Sequence, residues 1–199
     1  MQKALLYVHG KGGNSKETEQ LKPFCNGYAI YGIDLVDFTP WGTEKQIQCT
    51  FETLQKEYGS VSIVANSIGA YFSMFALQKY QVEKAFFISP ILNMEKLILD
   101  MMMWANVTEK ELKENGEIST DFGETLSWEY LSFVRNNIVQ WNIPTEILYA
   151  EHDNMTSRET VNEFIKTHQA TLSVMPKGEH WFHTPEQIEF LGKWLKRVC

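Results

Sequence analysis

The 199-residue sequence lacks a basic stripe. Eighteen Lys and Arg stand against 25 Asp and Glu, a formal net charge of −7. None of the cations gather as a phosphate-binding surface requires, so neither nucleic acid nor an anionic membrane is an expected partner. Cysteine is scarce: Cys25, Cys49 and Cys199 are odd in number and share no metal-ligand or disulfide spacing. Reduced structural thiols in a cytoplasmic protein are the expectation, with no metal bound. Long apolar runs are missing as well. Residues 91–107 come nearest, but Glu95, Lys96 and Asp100 interrupt them and no bilayer span results. Met1-Gln2-Lys3 runs straight into a strand-like segment, without an apolar leader or cleavage site.

What is present is the balance of a globular chain, 44% hydrophobic and 22% charged. The length suits one domain with a small insertion. Aromatic residues reach 13%, six of them Trp, enough for a substantial core and a bulky apolar pocket.

Six short apolar segments punctuate the chain: residues 4–8, 28–33, 61–65, 84–88, 145–150 and 170–175. Near-continuous apolar character over so few residues suits strands buried on both faces. Helix-like stretches follow most of them, at 15–22, 43–58, 68–80, 156–168 and 184–197. The last opens with Thr184-Pro185 and repeats Ile188, Leu191 and Leu195 at helical spacing. Strands alternating with helices predict a three-layer α/β architecture with a mostly parallel sheet of about six strands.

The rhythm breaks once, over about fifty residues between Ile91 and Ile143 that carry no buried-strand signal. Helix-like pieces cover 94–105 and 128–137, and a third starts at Thr108, where Glu111 completes a capping-box pattern. Residues 116–127 alternate around Asp121-Phe122-Gly123 as a small hairpin would. The expected division is a core of residues 1–92 and 143–199 with a cap insertion at 93–142. An elongated crossover without an active-site role is the alternative.

Chemistry concentrates in four loops. Val64-Ala65-Asn66-Ser67-Ile68-Gly69-Ala70-Tyr71 places a Ser between a buried strand and an amphipathic helix, with small residues two before and two after it. That is a nucleophile-elbow pattern, whose strained turn lifts the hydroxyl above the sheet edge. A Ser simply capping a helix is the bland alternative. A serine nucleophile needs a base. His180, between the last strand and the last helix, is the favoured candidate among five histidines, with His183 the runner-up and His168 a surface or C-cap residue. The base needs an acid to fix its tautomer. Asp153 follows the fifth core strand and gives the chain order Ser, Asp, His; Glu151 and Asp34 are alternatives, and a turn or N-cap role competes for Asp153.

The fourth loop, Tyr7-Val8-His9-Gly10-Lys11-Gly12-Gly13-Asn14, lacks both the P-loop ending and the dinucleotide-binding spacing. Its better role is an oxyanion hole that pairs the Lys11 N–H with the Ile68 N–H, leaving His9 structural. Met94, Leu97, Ile98, Met101, Met102, Trp104 and Trp128 are candidate acyl-pocket residues, Met101, Trp104 and Trp128 foremost; packing between cap and sheet is the equal alternative.

With these motifs in this order, nearly the whole chain resembles the α/β-hydrolase superfamily, in particular its small serine-hydrolase and esterase members. Tyr31-Gly32-Ile33-Asp34-Leu35 also looks like the family's segment after the strand preceding the elbow. Ala65 stands where the family most often has Gly, and Lys11 replaces the third residue of the His-Gly-Gly-Gly form. The first strand already carries the oxyanion loop, so six strands rather than eight are expected. The resemblance implies a Ser67–His180–Asp153 triad acting through an acyl-enzyme on a small-molecule ester, with no cofactor. Thioester, amide or carbon–carbon cleavage by the same triad is the alternative, and a non-catalytic binding protein is a third reading.

Overall fold

The computed structural model describes residues 3–199; Met1 and Gln2, read above as running into the first strand, lie outside them. Two compact units result, one formed by the chain up to Leu92 with Gln140–Cys199, the other by Asn93–Val139.

The first unit is built on a six-stranded sheet. Its strands are β1 (Lys3–Val8), β2 (Tyr28–Ile33), β3 (Val61–Asn66), β4 (Ala85–Ile88), β7 (Thr145–His152) and β8 (Ala170–Glu179), in the order β2-β1-β3-β4-β7-β8. Every neighbouring pair is parallel. Four of the apolar runs form the central strands β1, β3, β4 and β7, whose faces are covered, whereas the expected two-sided burial fails for β2 and β8, which lie at the sheet edges and are only partly buried. Leu5, Tyr7, Val64, Phe86, Ile88 and Leu148 share one buried cluster with Leu21, Cys25, Trp194 and Leu195. The intervening residues Ala4, Leu6, Ile63, Ala65, Phe87 and Ile147 are equally buried. Each large side chain so buried stabilises the fold by about 1.5–3 kcal/mol.

Helices connect the strands. A 3-10 turn at Ser15–Glu17 and the short α1 (Thr18–Leu21) precede β2, and α2 (Pro40–Tyr58) and α3 (Ile68–Leu77) flank β3. The helix expected over 15–22 is thus divided: Asn14 caps the tight turn and Pro23 stops the chain soon after α1. α2 begins three residues before its expected start because Thr39 accepts the Gly42 N–H and Pro40 is preset for the first turn. α7 (Arg158–Thr167) and α8 (Pro185–Val198) follow β7 and β8. Thr184 and Gln187 close a capping box at the start of α8.

The second unit holds α4 (Met94–Trp104), α5 (Glu109–Asn115), the antiparallel strands β5 (Glu117–Ser119) and β6 (Thr125–Ser127), and α6 (Trp128–Asn136). Thr108 and Glu111 form their capping box, and Gly123 takes φ 86° in the hairpin turn. Arg135 on α6 binds Glu95 on α4 at 2.6 Å and Glu109 on α5 at 2.7 Å, joining three helices through one guanidinium. Gln140 and Trp141 belong to the first unit: the Gln140 N–H reaches Gln78 Oε1 at 2.9 Å and Trp141 packs on Phe87. Among the described residues no helix is long and apolar enough to cross a membrane.

Sheet order positions the loops. β2 leaves β1 on one side while β3, β4, β7 and β8 extend on the other, so strand order reverses at β1. A crevice forms at such a point beyond the carboxyl ends of the strands. Val8 is in register with Ala65, Asn66 with Ile88, and Ile88 with Leu148. The loops that leave β1, β3, β4 and β7 therefore emerge along one edge.

Candidate active site

Ser67 sits between β3 and α3 at φ 52° and ψ −123°. A residue with a Cβ is strained there and persists only where its surroundings hold it. Two bonds do so: the Ser67 N–H donates to Ile88 O at 3.0 Å, and the Ile91 N–H donates to Ser67 O at 3.1 Å. Ser67 occupies the N-cap position of α3, yet its side chain makes no capping bond. Its Oγ lies 2.8 Å from His180 Nε2 instead.

Close approach at this turn is possible only with small residues. A Cβ on Gly69 would lie 2.4 Å from Val8 O and 2.6 Å from His9 O. One on Gly10 would come within 3.1 Å of Ser67 Cβ, so the loop after β1 abuts the elbow itself. Ala65 is fully buried in β3.

His180 is delivered by an irregularity in β8. The register with β7 shifts between Ala150 and His152, and Lys177 adopts φ 57° while its N–H donates to Glu151 Oε2 at 2.7 Å. The strand end bends, and His180 Nδ1 comes to lie 2.8 Å from Asp153 Oδ2. The carboxylate at Nδ1 sets the tautomer with its proton there, leaving Nε2 to accept from the Ser67 hydroxyl. Asp153 has a fully buried side chain, whereas 17% of the His180 side chain is exposed. A charge buried to that degree must be well bonded. Asp153 Oδ1 accepts the Met155 N–H at 2.8 Å and the Thr156 N–H at 2.9 Å. Its turn role and its role beside the histidine coexist, one oxygen to each. α7 starts only at Arg158, because Ser157, in extended backbone, caps it by accepting the Thr160 N–H.

The alternatives are committed elsewhere. Glu151 holds the Lys177 N–H, and Asp34 accepts from the Ser15 N–H at 2.6 Å and the Ser15 hydroxyl at 2.9 Å. Those donors hold the Asp34 carboxyl below its ordinary range. His183 is exposed, stacks on Trp181 at 4.6 Å and bonds Trp181 O through Nδ1. His168 caps α7 and stacks on Phe164 at 4.1 Å.

The loop after β1 is braced from within. Buried His9 bonds Gly10 O through Nδ1 at 2.7 Å, and its Nε2 accepts the Leu35 N–H at 3.0 Å. A turn closes from the Gly13 N–H to Gly10 O at 3.1 Å, with Gly12 at φ 77°. Lys11 lies in this turn, and Ile68 is the first residue of α3, where helix geometry leaves the N–H without an intrahelical acceptor.

Some participants have no sequence signal. The Thr156 hydroxyl donates to Pro90 O at 2.9 Å, and the Tyr149 hydroxyl donates to Thr156 O at 3.0 Å. Tyr7 in β1, in register with Val64 of β3, donates its hydroxyl to Glu17. Burial, reinforced by Glu17, pushes the Tyr7 phenol above its ordinary pKa. No local pattern marks these pairs, because their partners meet only after the sheet has formed.

Met101, Trp104 and Trp128 all lie in the second unit. Met101 is half-buried, Trp104 is exposed and meets Phe122 edge-on at 6.2 Å, and Lys113 Nζ stands 5.6 Å from the Trp128 ring centroid. Among the described residues, no three His, Cys, Asp or Glu side chains converge to hold a metal ion.

No protein-family model matches the sequence, and no curated protein does. Solved structures do match. Est1E from Butyrivibrio proteoclasticus is 17% identical with a TM-score of 0.78, over 99% of this chain and 87% of that one. Alpha/beta hydrolase domain-containing protein 10 from mouse is 13% identical with a TM-score of 0.79, over 98% and 88%. A thioesterase domain from the curacin biosynthetic pathway is 13% identical with a TM-score of 0.61, over 98% and 91%. At these identities the likeness is one of architecture, and together with the parallel six-stranded sheet and its flanking helices it establishes that the chain has the α/β-hydrolase fold.

Proposed function

We propose that the chain is a serine hydrolase that cleaves the carboxylic ester bond of a small molecule. The observation that carries this reading is the continuous contact from Ser67 Oγ to His180 Nε2 and from His180 Nδ1 to buried Asp153, each at 2.8 Å. A surface Ser meeting a His by chance has no need of a left-handed backbone or a buried carboxylate behind the ring. Here both costs are met, and the combination suits nucleophilic catalysis.

In the first step Ser67 Oγ attacks the ester carbonyl carbon as His180 Nε2 takes its proton. Asp153 stabilises the imidazolium through Nδ1–H without taking the proton itself. The carbonyl oxygen becomes an oxyanion that accepts hydrogen bonds from the Lys11 and Ile68 N–H groups, donors worth about 3 kcal/mol each to such a transition state. His180 then protonates the departing alkoxide, leaving an acyl-serine. Water attacks that acyl group with His180 again as base, and the acid is released with Ser67 restored. No metal or organic cofactor enters this sequence.

The test is covalent labelling with a fluorophosphonate, read by intact mass and peptide mapping. Wild type is expected to gain one adduct, at Ser67. Ser67→Ala and His180→Ala should abolish labelling, while His183→Ala should keep it. A folded wild-type protein that stays unlabelled would sink the proposal. Labelled enzyme would then be assayed on ester and thioester pairs of matched acyl length, which separates the two nearest chemistries.

A further inference from the structure

Outside the candidate site, one pair of nucleophilic side chains stands out. Cys25 is buried in the cluster that packs α8 on the sheet, and Cys199 lies against the same cluster. The two sit 174 positions apart in the chain, yet their sulfurs are in hydrogen-bond contact at 2.8 Å, both as free thiols. The lack of a disulfide spacing in the sequence does not register a meeting of this range.

The contact belongs to a wider docking. Gly192 and Lys196 on α8 and Cys199 at its end recur at helical spacing, the first two against Phe24 and the third against Cys25. A Cβ on Gly192 would lie 2.6 Å from the Phe24 ring, so the helix approaches that ring as closely as glycine permits. Lys196 Nζ sits 5.5 Å from the Phe24 ring centroid. Cys199 closes α8, its N–H bonding Leu195 O at 2.9 Å. Trp194 and Leu195, buried one turn earlier, anchor the helix from the same side. The thiols are held together by packing on both elements and do not meet as two free ends.

We propose that Cys25 and Cys199 form a reversible disulfide with small disulfide oxidants of the glutathione type. Cys199 is the more accessible of the two, and its thiolate attacks one sulfur of the oxidant, forming a mixed disulfide and expelling one thiolate. Cys25 then loses its proton and attacks Cys199 Sγ, forming the intramolecular bond and expelling the second thiolate. The expelled thiolates take up the two protein protons. Two protein thiols are oxidised and one small disulfide is reduced to two small thiols, so atoms and electrons balance. Exposed Cys49 has no such neighbour and stops at the mixed disulfide. Closing a loop that spans most of the chain constrains the unfolded ensemble strongly, so the oxidised form should be harder to unfold.

The experiment uses the folded full-length chain and oxidised glutathione. After acid quenching and alkylation, non-reducing peptide mapping is expected to recover a Cys25–Cys199 cross-linked peptide. Thiols titrated in denaturant should fall accordingly, and the melting temperature should rise by several degrees and return on reduction. Cys49→Ser should behave as wild type. Cys199→Ser should yield neither cross-link nor thermal shift, and Ser67→Ala should oxidise normally, since the pair is independent of the esterase reading. A lasting glutathione adduct on Cys199 with Cys25 still reduced would overturn the proposal. So would cross-linking only through Cys49, or full glutathionylation of Cys49 with the pair untouched.

Discussion

Thr156 donates its hydroxyl proton to Pro90 O at 2.9 Å, linking two loops 66 positions apart. The same residue gives its N–H to Asp153 Oδ1. One residue beyond Pro90, the Ile91 N–H holds Ser67 O. Asp153 and Ser67 are therefore spaced through one short strut as well as through His180. Thr156→Val strands the buried Pro90 carbonyl and should cost about 1–3 kcal/mol in denaturant unfolding. At a temperature where both forms are folded, fluorophosphonate labelling should slow roughly tenfold as the geometry loosens. Thr156→Ser should restore both. Lost stability with an unchanged labelling rate would reduce the strut to a structural feature.

Gly69 has no room for a methyl group, because both nearest atoms are backbone carbonyl oxygens, at 2.4 and 2.6 Å from the built Cβ. Gly69→Ala must push α3 away from the loop after β1, at a cost of about 1–3 kcal/mol. Labelling at Ser67 should fall with it. If the alanine variant melts and labels like wild type, α3 and the loop after β1 do not approach this closely.

Ser89 is buried at φ 41°, with a hydroxyl that has no hydrogen-bond partner among the described residues. Ser89→Gly removes the left-handed strain and the stranded hydroxyl together, and should stabilise the protein by about 1 kcal/mol. Chemical denaturation measures this directly, and a lowered midpoint would contradict the strain argument.

Asp34 accepts two bonds from Ser15, first its N–H and then its hydroxyl, which lower the carboxyl pKa in the folded state. A folded pKa below the unfolded one stabilises the protein above the ordinary carboxylate value. That stabilisation is lost as pH falls through the lowered value. The melting-temperature gap between wild type and Asp34→Asn should be widest near neutrality and shrink below about pH 4. A gap that is constant with pH would assign the effect to shape rather than charge.

Much of this molecule follows from local chemistry in the sequence. Continuous apolar runs must be packed away from water, so the six core strands are legible, and helical alternation between them makes the sheet parallel; that β2 and β8 become partly exposed edges is set by sheet order. Ser67, Asp153 and His180 are legible as candidates because strand ends with polar or small residues are where such groups project. Capping patterns at Thr108 and Thr184 announce their helices, since each satisfies N–H groups a few positions away.

Tertiary structure decided what depends on chain segments meeting. The divided carboxylate of Asp153 serves a local turn and a histidine 27 positions away. The β8 irregularity that aims His180 arises from register with β7, which no single segment encodes. The same holds for the Thr156–Pro90 strut and the Cys25–Cys199 contact. Periodicity and capping act over one or two turns of chain, whereas these bonds exist only once sheet order has set distant residues side by side.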